Sequence, residues 1–527
     1  MVDTLTLATL ETILHQRFEE GFLSLRDLPH PSLFKDMEKA TQRIVTAIQN
    51  KEKITIIGDY DVDGVVSTTL MKLFFDEIEV AIEWIIPNRF KDGYGLSVNM
   101  IPKIADTDLA ITVDNGISAI NAAKLCKEQG IELIITDHHL LALEVPEAYA
   151  IIDPQQETCG FPYQDVCGAQ IAWYLIASLK NALKVQIDMI KYMELVAIAI
   201  IADMMPLKHI NRAMVLAGIE ALNKSQRPAI KAFMEFSKKE TLKSEDIGYH
   251  LAPLLNSAGR MEDASFAVEF LTASNIYDAR VRLERLVEFN EARKSIENSI
   301  TLQAIKQVDS EDKVIVVSGK QWHEGVVGIV AARVGRLFEK PCIVLSENEE
   351  GLLKGSGRSY GECDLFAMVN QTRSYLEKFG GHQAAIGLSL QKEHLDTFKA
   401  LLQEHKQNHM SMEEKKDPDI LGRLDFATIS FDLTELIKRF EPYGQGNTTP
   451  KFITSKVEVL QADSMGKEGE HLRFSFAQNG IVMQGVKFKT KESVEVGSIV
   501  DVIYSINENH FRGNTTLQLM VEKIVKC

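Results

Sequence analysis

Short apolar runs alternate with helix-length segments between about residues 53 and 153. The runs cover 54–57, 109–113, 133–136 and 150–152 and are rich in β-branched residues. Runs that are apolar on both faces and lie a helix apart are typical of buried parallel strands. The pattern therefore predicts an α/β domain with a mostly parallel sheet.

The remainder of the chain shows three further patterns. Residues 181–308 are mostly helical in pattern, and apolar positions within the charged stretch 276–308 predict one long connecting helix. A second α/β unit opens at 314–317 and continues to about residue 403. After a polar stretch at 405–419 that suits a linker, five runs predict a small barrel of oligonucleotide-binding (OB) type: 456–460, 471–476, 481–488, 498–504 and 515–524.

These patterns divide the 527-residue chain into several parts, because a chain of this length exceeds one compact core. We predict an N-terminal helical extension at 1–50 and a first α/β domain at 51–215. A helical region with the connecting helix follows at 216–308, then the second α/β domain at 309–405 and the barrel at 420–527.

Composition indicates an ordinary globular protein, with 45% hydrophobic and 25% charged residues. The six cysteines include no C-x-x-C pair, which excludes a zinc knuckle or a disulfide framework of the usual spacing. The N-terminus lacks a cationic leader followed by an apolar block. The apolar stretch 195–205 is interrupted by Asp203 and is too short to cross a membrane, so we expect a cytoplasmic protein.

The net charge of −16 at first counts against a nucleic acid as partner, because polyphosphates usually meet basic surfaces. Net charge averages over the whole surface, whereas binding depends on a local groove, and bound divalent cations reverse the sign of an acidic site. Composition alone therefore favours a metal enzyme with a small substrate.

Acidic and imidazole side chains follow each predicted strand of the first α/β domain. In an open α/β sheet, ligands bind at the carboxyl ends of the strands, so these groups should converge. Mixed carboxylate and imidazole ligands without thiolates suit Mn²⁺ or Mg²⁺. Asp203 would be costly if buried without compensation, which a cation would supply. The strand-end residues are Asp59, Asp61, Asp63, Asp114, Asp137, His138, His139 and Asp153.

Each of these motifs also has a plainer interpretation. The D-x-D-x-D-G pattern at 59–64 opens a calcium-binding EF-hand loop, but position twelve of that loop is Leu70 and a strand precedes it. A single aspartate can simply cap the following helix, although three at alternate positions would repel one another without a cation. Asp114-Asn115-Gly116 alone is a common turn, and paired histidines can be polar turn residues.

In combination, the motifs resemble those of a known family. GDYDVDGVVST at 58–68, DNG at 114–116, DHH at 137–139 and AD at 202–203 resemble the four ordered motifs of DHH phosphoesterases, and the first is similar to their RecJ branch. The resemblance implies two divalent cations, Mn²⁺ or Mg²⁺, that activate water and stabilise charge on the phosphate. It implies that Asp114 bridges the ions, and that the other ligands are Asp61, Asp63, His138 and Asp203. Asp59 and His139 would lie close by, and Asp137 would orient the histidines by accepting a ring N–H.

Further motifs resemble the accessory DHHA1 domain and the segments around it. They are NSAGRM at 256–261, WHEGVVGIVA at 322–331, GSGRS at 355–359 and GGH at 380–382. Glycines allow close approach of a phosphate, and Arg, Ser and His donate to its oxygens. Ile386 is bulkier than the small residue that the family tends to have at this position after GGH. The substrate-binding residues implied by the resemblance are Asn256, Arg260, His323, Ser356, Arg358, Gly380, Gly381 and His382.

The segment EPYGQGN at 441–447 resembles the lead-in to the RecJ barrel. Within the barrel, Phe474, Phe476 and Phe488 lie among basic residues, and two interpretations stay open. They could stack on nucleobases or form the barrel core.

The resemblance implies an enzyme: a single-stranded-DNA-specific 5′–3′ exonuclease that acts in DNA repair and recombination by a two-metal-ion mechanism. It also implies single-stranded DNA, a helicase and a single-strand-binding protein as partners of a monomer. One alternative is a DHH phosphodiesterase for short oligonucleotides or cyclic dinucleotides, although such relatives generally lack the barrel. A non-catalytic DNA-binding scaffold is the other, and filled ligand positions speak against it.

Overall fold

The computed structural model describes residues 4–405, 419–466, 469–490, 493–511 and 513–526. Residues 406–418, which make up most of the predicted linker, lie outside these ranges. The described residues form an α/β domain, a second α/β domain and a C-terminal barrel, which confirms the predicted fold class. Within the described residues, no helix combines the length and apolar composition needed to span a membrane.

The first sheet has five parallel strands in the order β2-β1-β3-β4-β5. Four of them are the predicted strands, and the edge strand β2 was not anticipated. The chain crosses from one side of β1 to the other between β2 and β3, so the strand order reverses there, which is where open α/β sheets bind ligands. The strands are β1 (Ile54–Ile57), β2 (Glu83–Ile85), β3 (Leu109–Val113), β4 (Glu132–Thr136) and β5 (Ala150–Ile152).

Both faces of this sheet are covered, as the continuous apolar runs predict. Along β3, Ile111 faces the larger core and Ala110 the smaller one, because successive side chains point to opposite faces. Helix α4 covers the smaller core, and most of the other helices cover the larger one. The helices up to the end of the helical region are α1 (Leu7–His15), α2 (Met37–Asn50), α3 (Val62–Glu77), α4 (Ile120–Glu128), α5 (Gly168–Leu183), α6 (Met193–Ala202), α7 (His209–Asn223), α8 (Pro228–Ser237), α9 (Ser244–Asp246), α10 (Ala252–Met261), α11 (Ser265–Leu271) and α12 (Ile276–Ile305).

The predicted connecting helix is α12, which ends three residues earlier than expected. Its N-terminal half packs into the first domain through Leu283 and Leu286, and its C-terminal half packs into the second through Ile300 and Ala304. The helix therefore fixes the spacing of the two α/β domains.

The second sheet has the order β6-β7-β8-β10-β9, with β6 and β7 parallel and the other pairs antiparallel. Ile386 is buried in its core opposite Gly357, where a Cβ would lie 2.7 Å from Ile386 Cγ1. Gly357 thus makes room for the bulky residue. The elements are β6 (Ile315–Lys320), α13 (Glu324–Phe338), β7 (Cys342–Glu347), β8 (Leu352–Arg358), α14 (Leu365–Asn370), β9 (Lys378–His382), β10 (Ala385–Gln391) and α15 (Leu395–His405).

The C-terminal strands close into a barrel, in the order β12-β13-β14-β16-β15 with β15 pairing back to β12. Each predicted run overlaps one of these strands, and only Phe488 and Ser498 of the runs lie just outside a strand. Phe474 and Phe476 are buried in the barrel core, whereas Phe488 is half exposed beside His471. The elements are β11 (Ile420–Arg423), α16 (Phe431–Lys438), β12 (Lys451–Met465), β13 (His471–Gln478), β14 (Ile481–Lys487), β15 (Ile499–Phe511) and β16 (Asn514–Lys526).

The N-terminal extension expected at 1–50 is helical but divides between two cores. Helix α1 buries Leu10 and Leu14 in the barrel core, whereas α2 buries Met37 and Ile44 in the core of the first domain. Residues near the N-terminus therefore contact the C-terminal barrel, a long-range pairing that no local pattern could indicate.

Candidate metal centre at the carboxyl edge of the sheet

Acidic and imidazole groups from three strand ends and one helix end converge where the strand order reverses. Three overlapping groups have ligand atoms within 4.8 Å of one another. Asp114 and His138 each belong to two of the groups, so they lie at the centre. The groups are Asp59, Asp61 and Asp114; Asp63, His138 and Asp203; and Asp114, His138 and His139.

The aspartates that follow β1 have different local roles. Asp61 caps α3, because its Oδ1 accepts hydrogen bonds from the backbone N–H of Asp63 at 2.9 Å and of Gly64 at 3.1 Å. Gly64 is required at this turn, since a Cβ there would lie 2.5 Å from the backbone of Asp59. Helix capping thus explains the position of one oxygen of Asp61, but it does not explain the other carboxylates.

Asp63 is held by the start of helix α5. Its Oδ2 accepts from Gly168 N–H at 2.5 Å and its Oδ1 from Ala169 N–H at 2.8 Å. A helix N-terminus favours a negative charge, so the backbone stabilises this buried carboxylate. Gly168 also packs against Asp114, where a Cβ would lie 2.5 Å from Asp114 Cβ. Gly168 belongs to none of the motifs found in the sequence.

Asp114 has no comparable support. Its backbone is in the left-handed region at φ 62°, and neither carboxylate oxygen accepts a hydrogen bond from any residue that the structure describes. Oδ1 lies 3.1 Å from His138 Nε2. Burial, together with the charges of Asp63 and Asp61, raises the pKa of Asp114 well above its ordinary value.

Asp59 Oδ1 and Asp203 Oδ2 are likewise buried without a described hydrogen-bond partner. Burial first, and then the charges of Asp63 and Asp61, raises the pKa of Asp203 to about 9. Several buried, unpartnered carboxylate oxygens at one point are costly unless cations neutralise them. The donor set of carboxylates and one neutral imidazole fits divalent cations such as Mn²⁺ and Mg²⁺.

The two histidines are held differently. Burial lowers the pKa of His138, which favours the neutral, ligating form, and its Nε2 lies 3.7 Å from both Asp63 Oδ2 and Asp203 Oδ2. His139 Nδ1 lies 2.7 Å from Asp137 Oδ1. Although burial opposes protonation, this contact with Asp137 raises the pKa of His139 to about 9. Asp137 therefore contacts the ring of His139, and contacts His138 through the backbone N–H.

Asn115 joins the carboxyl ends of β1 and β3. Its Nδ2 donates to Ile57 O at 3.0 Å and Val113 O at 2.9 Å, and its Oδ1 accepts from Leu96 N–H at 2.9 Å. The side chain is fully buried. From the sequence, Asn115 could be interpreted only as a turn residue. Its role in joining two strand ends depends on β1, which is distant in sequence.

A basic cluster lies beside the acidic one. Burial is the main cause that lowers the pKa of Arg260 to about 10, and the charges of Arg89, Arg293 and Arg358 lower it further. Arg89 lies over the ring of Tyr60 at 4.8 Å from its centroid, and Tyr60 belongs to the first aspartate motif. Arg260 and Arg358 belong to motifs found in the sequence, whereas Arg89 belongs to none of them.

The predicted substrate residues fall into two sets. Arg260 donates to Gly325 O at 3.2 Å, and Arg358 donates to Ser356 Oγ at 2.6 Å. The Arg260 contact joins the helical region to the second α/β domain, and the contact of His323 with Phe90 joins the two α/β domains, whereas the Arg358 contact lies within the second domain. The second set, Gly380–His382, forms the exposed edge strand β9, and its described contacts do not reach the acidic cluster.

A cavity of about 680 Å³ lies between the first domain, the helical region and the barrel side, and its lining includes Ala202 and Met204, the two neighbours of Asp203. The first domain and the helical region contribute Met204, Asn256 and Arg260, and the barrel side contributes Tyr443 and Thr448. The cavity therefore runs from the segment that carries Asp203 to the loop that leads into the barrel.

Comparison with known proteins defines the class first. The chain matches family models described as DHH family, N-terminal domain, at residues 53–200, DHHA1 domain at 311–408 and RecJ OB domain at 420–523. The fold, the acidic edge and these matches define a DHH-family protein with an accessory DHHA1 domain. It is 30% identical to the single-stranded-DNA-specific exonuclease RecJ of Haemophilus influenzae, covering 97% of this chain and 94% of the relative, and 31% identical to that of Escherichia coli, covering 93% and 90%. The chain belongs to the RecJ family.

Solved structures are similar over the same extent. A crystal structure of RecJ in complex with Mn²⁺ from Thermus thermophilus has a TM-score of 0.81 and 25% identity, covering 94% of this chain and 72% of that one. A second, of exonuclease RecJ bound to manganese, has a TM-score of 0.64 and 26% identity, covering 72% and 96%.

Proposed function

We propose that the chain is a single-stranded-DNA-specific exonuclease that hydrolyses phosphodiester bonds from the 5′ end with two divalent cations, Mn²⁺ or Mg²⁺. We place it in DNA repair and recombination by analogy with its family, whose named members are single-stranded-DNA-specific exonucleases. The observation that carries the proposal is the cluster of buried carboxylate oxygens without a described hydrogen-bond partner, one of them on Asp203, whose two neighbours line a cavity that continues to an OB-type barrel.

The metal ligands are assigned from the overlapping groups. We assign Asp61, Asp63, Asp114, His138 and Asp203 as ligands, and the shared position of Asp114 supports its role as the bridge. Asp59 lies within reach of the same centre. When bound, the cations supply a hydroxide near neutral pH and stabilise charge on the phosphate and the leaving oxygen.

Residues of the chain itself would transfer protons and hold the metal ligands in position. His139 Nδ1 is held by Asp137, and Nε2 of this half-exposed side chain lies 3.4 Å from the Tyr94 hydroxyl. In this position Nε2 can exchange a proton with the leaving oxygen, and Asp137 stabilises the charged ring. Asn115 keeps the ends of β1 and β3 together, so that Asp114 stays opposite the first aspartate motif.

The basic cluster binds phosphates of the strand. We assign Arg89, Arg260 and Arg358 to this role, because guanidinium groups bind phosphate oxygens through charge-assisted hydrogen bonds. Asn256, His323 and Ser356 line the same region and add polar contacts. The exposed Phe488 of the barrel can stack on a base. A substrate role for Gly380, Gly381 and His382 stays a prediction.

The test is hydrolysis of 5′-labelled DNA by the purified chain with Mn²⁺ or Mg²⁺. We expect release of mononucleotides from single strands, and loss of more than about 99% of activity in Asp114→Ala, since removal of one such ligand costs several kcal/mol of transition-state stabilisation. Asp106→Ala, at a surface carboxylate 73% exposed in the same domain, is the matched control. Release from duplex ends only, or full activity of Asp114→Ala, would contradict the proposal.

A helicase and a single-strand-binding protein are proposed as partners by family analogy, and the chain is proposed to be a monomer in the cytoplasm. Sedimentation velocity should give one species near 59.1 kDa. Affinity capture on the immobilised chain, with purified helicase and single-strand-binding protein as probes, tests the two partners. A dimer would argue against the proposed monomer, and failure of both probes to bind would argue against the proposed partners.

A further inference from the structure

The loop that leads into the barrel is seated on the first domain. Leu207 N–H donates to Gln445 O at 2.7 Å. A Cβ at Gly444 would lie 2.8 Å from Leu207 Cδ1, and one at Gly446 would lie 3.0 Å from Pro206 Cβ. The two glycines therefore allow the loop to approach this segment closely, and side chains there would push it away.

The seat is continuous with the candidate metal centre. Pro206 and Leu207 follow Asp203 after one tight turn, in which Met204 has a left-handed backbone at φ 57° and Met205 N–H donates to Ile200 O at 3.1 Å. The barrel thus rests on the segment that also carries Asp203.

Arg212 of α7 joins the same loop. The residue is 6% exposed, and its Nη2 donates to Arg439 O at 3.1 Å and Glu441 O at 2.7 Å. Its guanidinium also lies 4.1 Å from the centroid of Phe22 and 5.4 Å from that of Phe18. Its described partners are carbonyl oxygens and two aromatic rings. If the loop separates from α7, water can replace these partners around the Arg212 guanidinium. We therefore expect the contact between Arg212 and the loop to be reversible.

The N-terminal segment completes the connection. Leu5 N–H donates to Arg423 O at 2.8 Å, and Arg17 donates to Thr448 O at 2.5 Å, both on the barrel side. On the other side, Glu20 accepts from the Tyr163 hydroxyl of the first domain at 2.8 Å. Residues 4–22 therefore bridge the barrel and the first domain.

We propose that Arg212, residues 4–22 and the loop 439–447 form a docking latch that holds the barrel against the first domain. Arg212 is a positioning residue that acts through the barrel. The closed latch keeps the barrel in line with the cavity, so that a long strand bound on the barrel enters the metal centre. The delivery of a long strand to the metal centre rests on the proposed function, whereas the docking of the barrel on the first domain does not.

The test compares Arg212→Met and Phe22→Ala in the full chain with the matched control Arg280→Met, at an arginine 55% exposed and paired with Glu235 on the surface. Phe22 is half exposed, so its truncation leaves no buried cavity and this variant should fold. The substrates are a trinucleotide, which offers few nucleotides for contact with the barrel, and a long single strand. Small-angle X-ray scattering reports the docking of the barrel without any substrate.

For both variants we expect kcat on the trinucleotide to stay within about twofold of the parent, and KM for the long strand to rise about tenfold, equivalent to about 1.4 kcal/mol. The radius of gyration should increase. Unchanged scattering, or an equal fall of kcat on both substrates, would overturn the latch. If the parent chain degrades no DNA, the proposed function fails. An increased radius of gyration in both variants would still support the latch, and an unchanged radius would overturn it.

Discussion

Two neighbouring aspartates in the metal centre differ in how the protein accommodates their charge. Asp63 accepts two backbone N–H groups at the start of α5. Asp114 accepts none from the described residues, although it is equally buried. The chain therefore stabilises one carboxylate by itself, and leaves the other to be stabilised by a bound cation.

This difference predicts that Asp114→Asn stabilises the metal-free protein. An amide of the same shape removes an unpartnered buried charge, and its neighbours Asp61 and Asp63 no longer repel it. In the presence of a chelator, the free energy of unfolding should rise by about 1–3 kcal/mol. Added Mn²⁺ should stabilise the parent more than the variant, because the variant has lost a ligand. Urea unfolding with and without Mn²⁺ measures both effects.

Two further variants control this experiment. Asp106→Asn changes an exposed carboxylate and should leave both measurements within about 0.5 kcal/mol of the parent. Asp63→Asn should destabilise the metal-free protein, because its amide nitrogen cannot accept from Gly168 or Ala169. A metal-free Asp114→Asn protein less stable than the parent would contradict the argument.

The sequence predicted which acidic and imidazole residues converge at the sheet edge, whereas their roles in the site stay predictions. The acidic and imidazole groups at four strand and helix ends could be named because parallel strands deliver their ends to one edge. Asn115, Gly168 and Arg89 could not, because each acts through a partner distant in sequence: Ile57 for Asn115, Asp63 for Gly168 and Tyr60 for Arg89.

At the scale of elements, strands with buried side chains were predicted better than the exposed strand β2. Strands β1, β3, β4 and β5 are continuous apolar runs, whereas β2 has three residues at an exposed edge and shows no usable period. In the barrel, Phe474 and Phe476 lie two positions apart on one strand and so share the inward face. Burial of both rings decides between the two open interpretations, in favour of the barrel core for this pair.

Helix α12 offers a prediction about a single element that serves two domains. Leu286 is fully buried in the core of the first domain, and Leu302 on the same helix is 64% exposed. Leu286→Ala should lower the free energy of unfolding by about 2–5 kcal/mol, since it leaves a cavity. Leu302→Ala, the matched control, should change it by less than about 0.5 kcal/mol.

Urea denaturation followed by circular dichroism measures both changes. Scattering of the Leu286→Ala protein should also show whether the two α/β domains keep their spacing under native conditions. Equal effects of the two substitutions would mean that the buried half of α12 does not hold the first domain together.

At the scale of the whole molecule, the charge distribution matters more than the net charge. The chain carries −16 overall, yet Arg89, Arg260 and Arg358 gather beside the metal centre. Acidic groups concentrated where cations bind cease to repel phosphate once those cations are present. The net charge therefore did not exclude a nucleic acid as partner, and the proposed site for the strand is the local basic cluster.

This distribution predicts the salt dependence of DNA binding. In the inactive Asp114→Asn background, Arg89→Gln should weaken binding of a labelled single strand by about tenfold, because it removes one phosphate contact. The slope of log affinity against log salt should fall by about 0.7, the value for one phosphate of a single strand. Fluorescence anisotropy at several salt concentrations measures both quantities. Arg280→Gln has the same change of charge on an exposed surface and should alter neither. If Arg280→Gln reduced the slope as much as Arg89→Gln, overall charge rather than the basic cluster would govern binding.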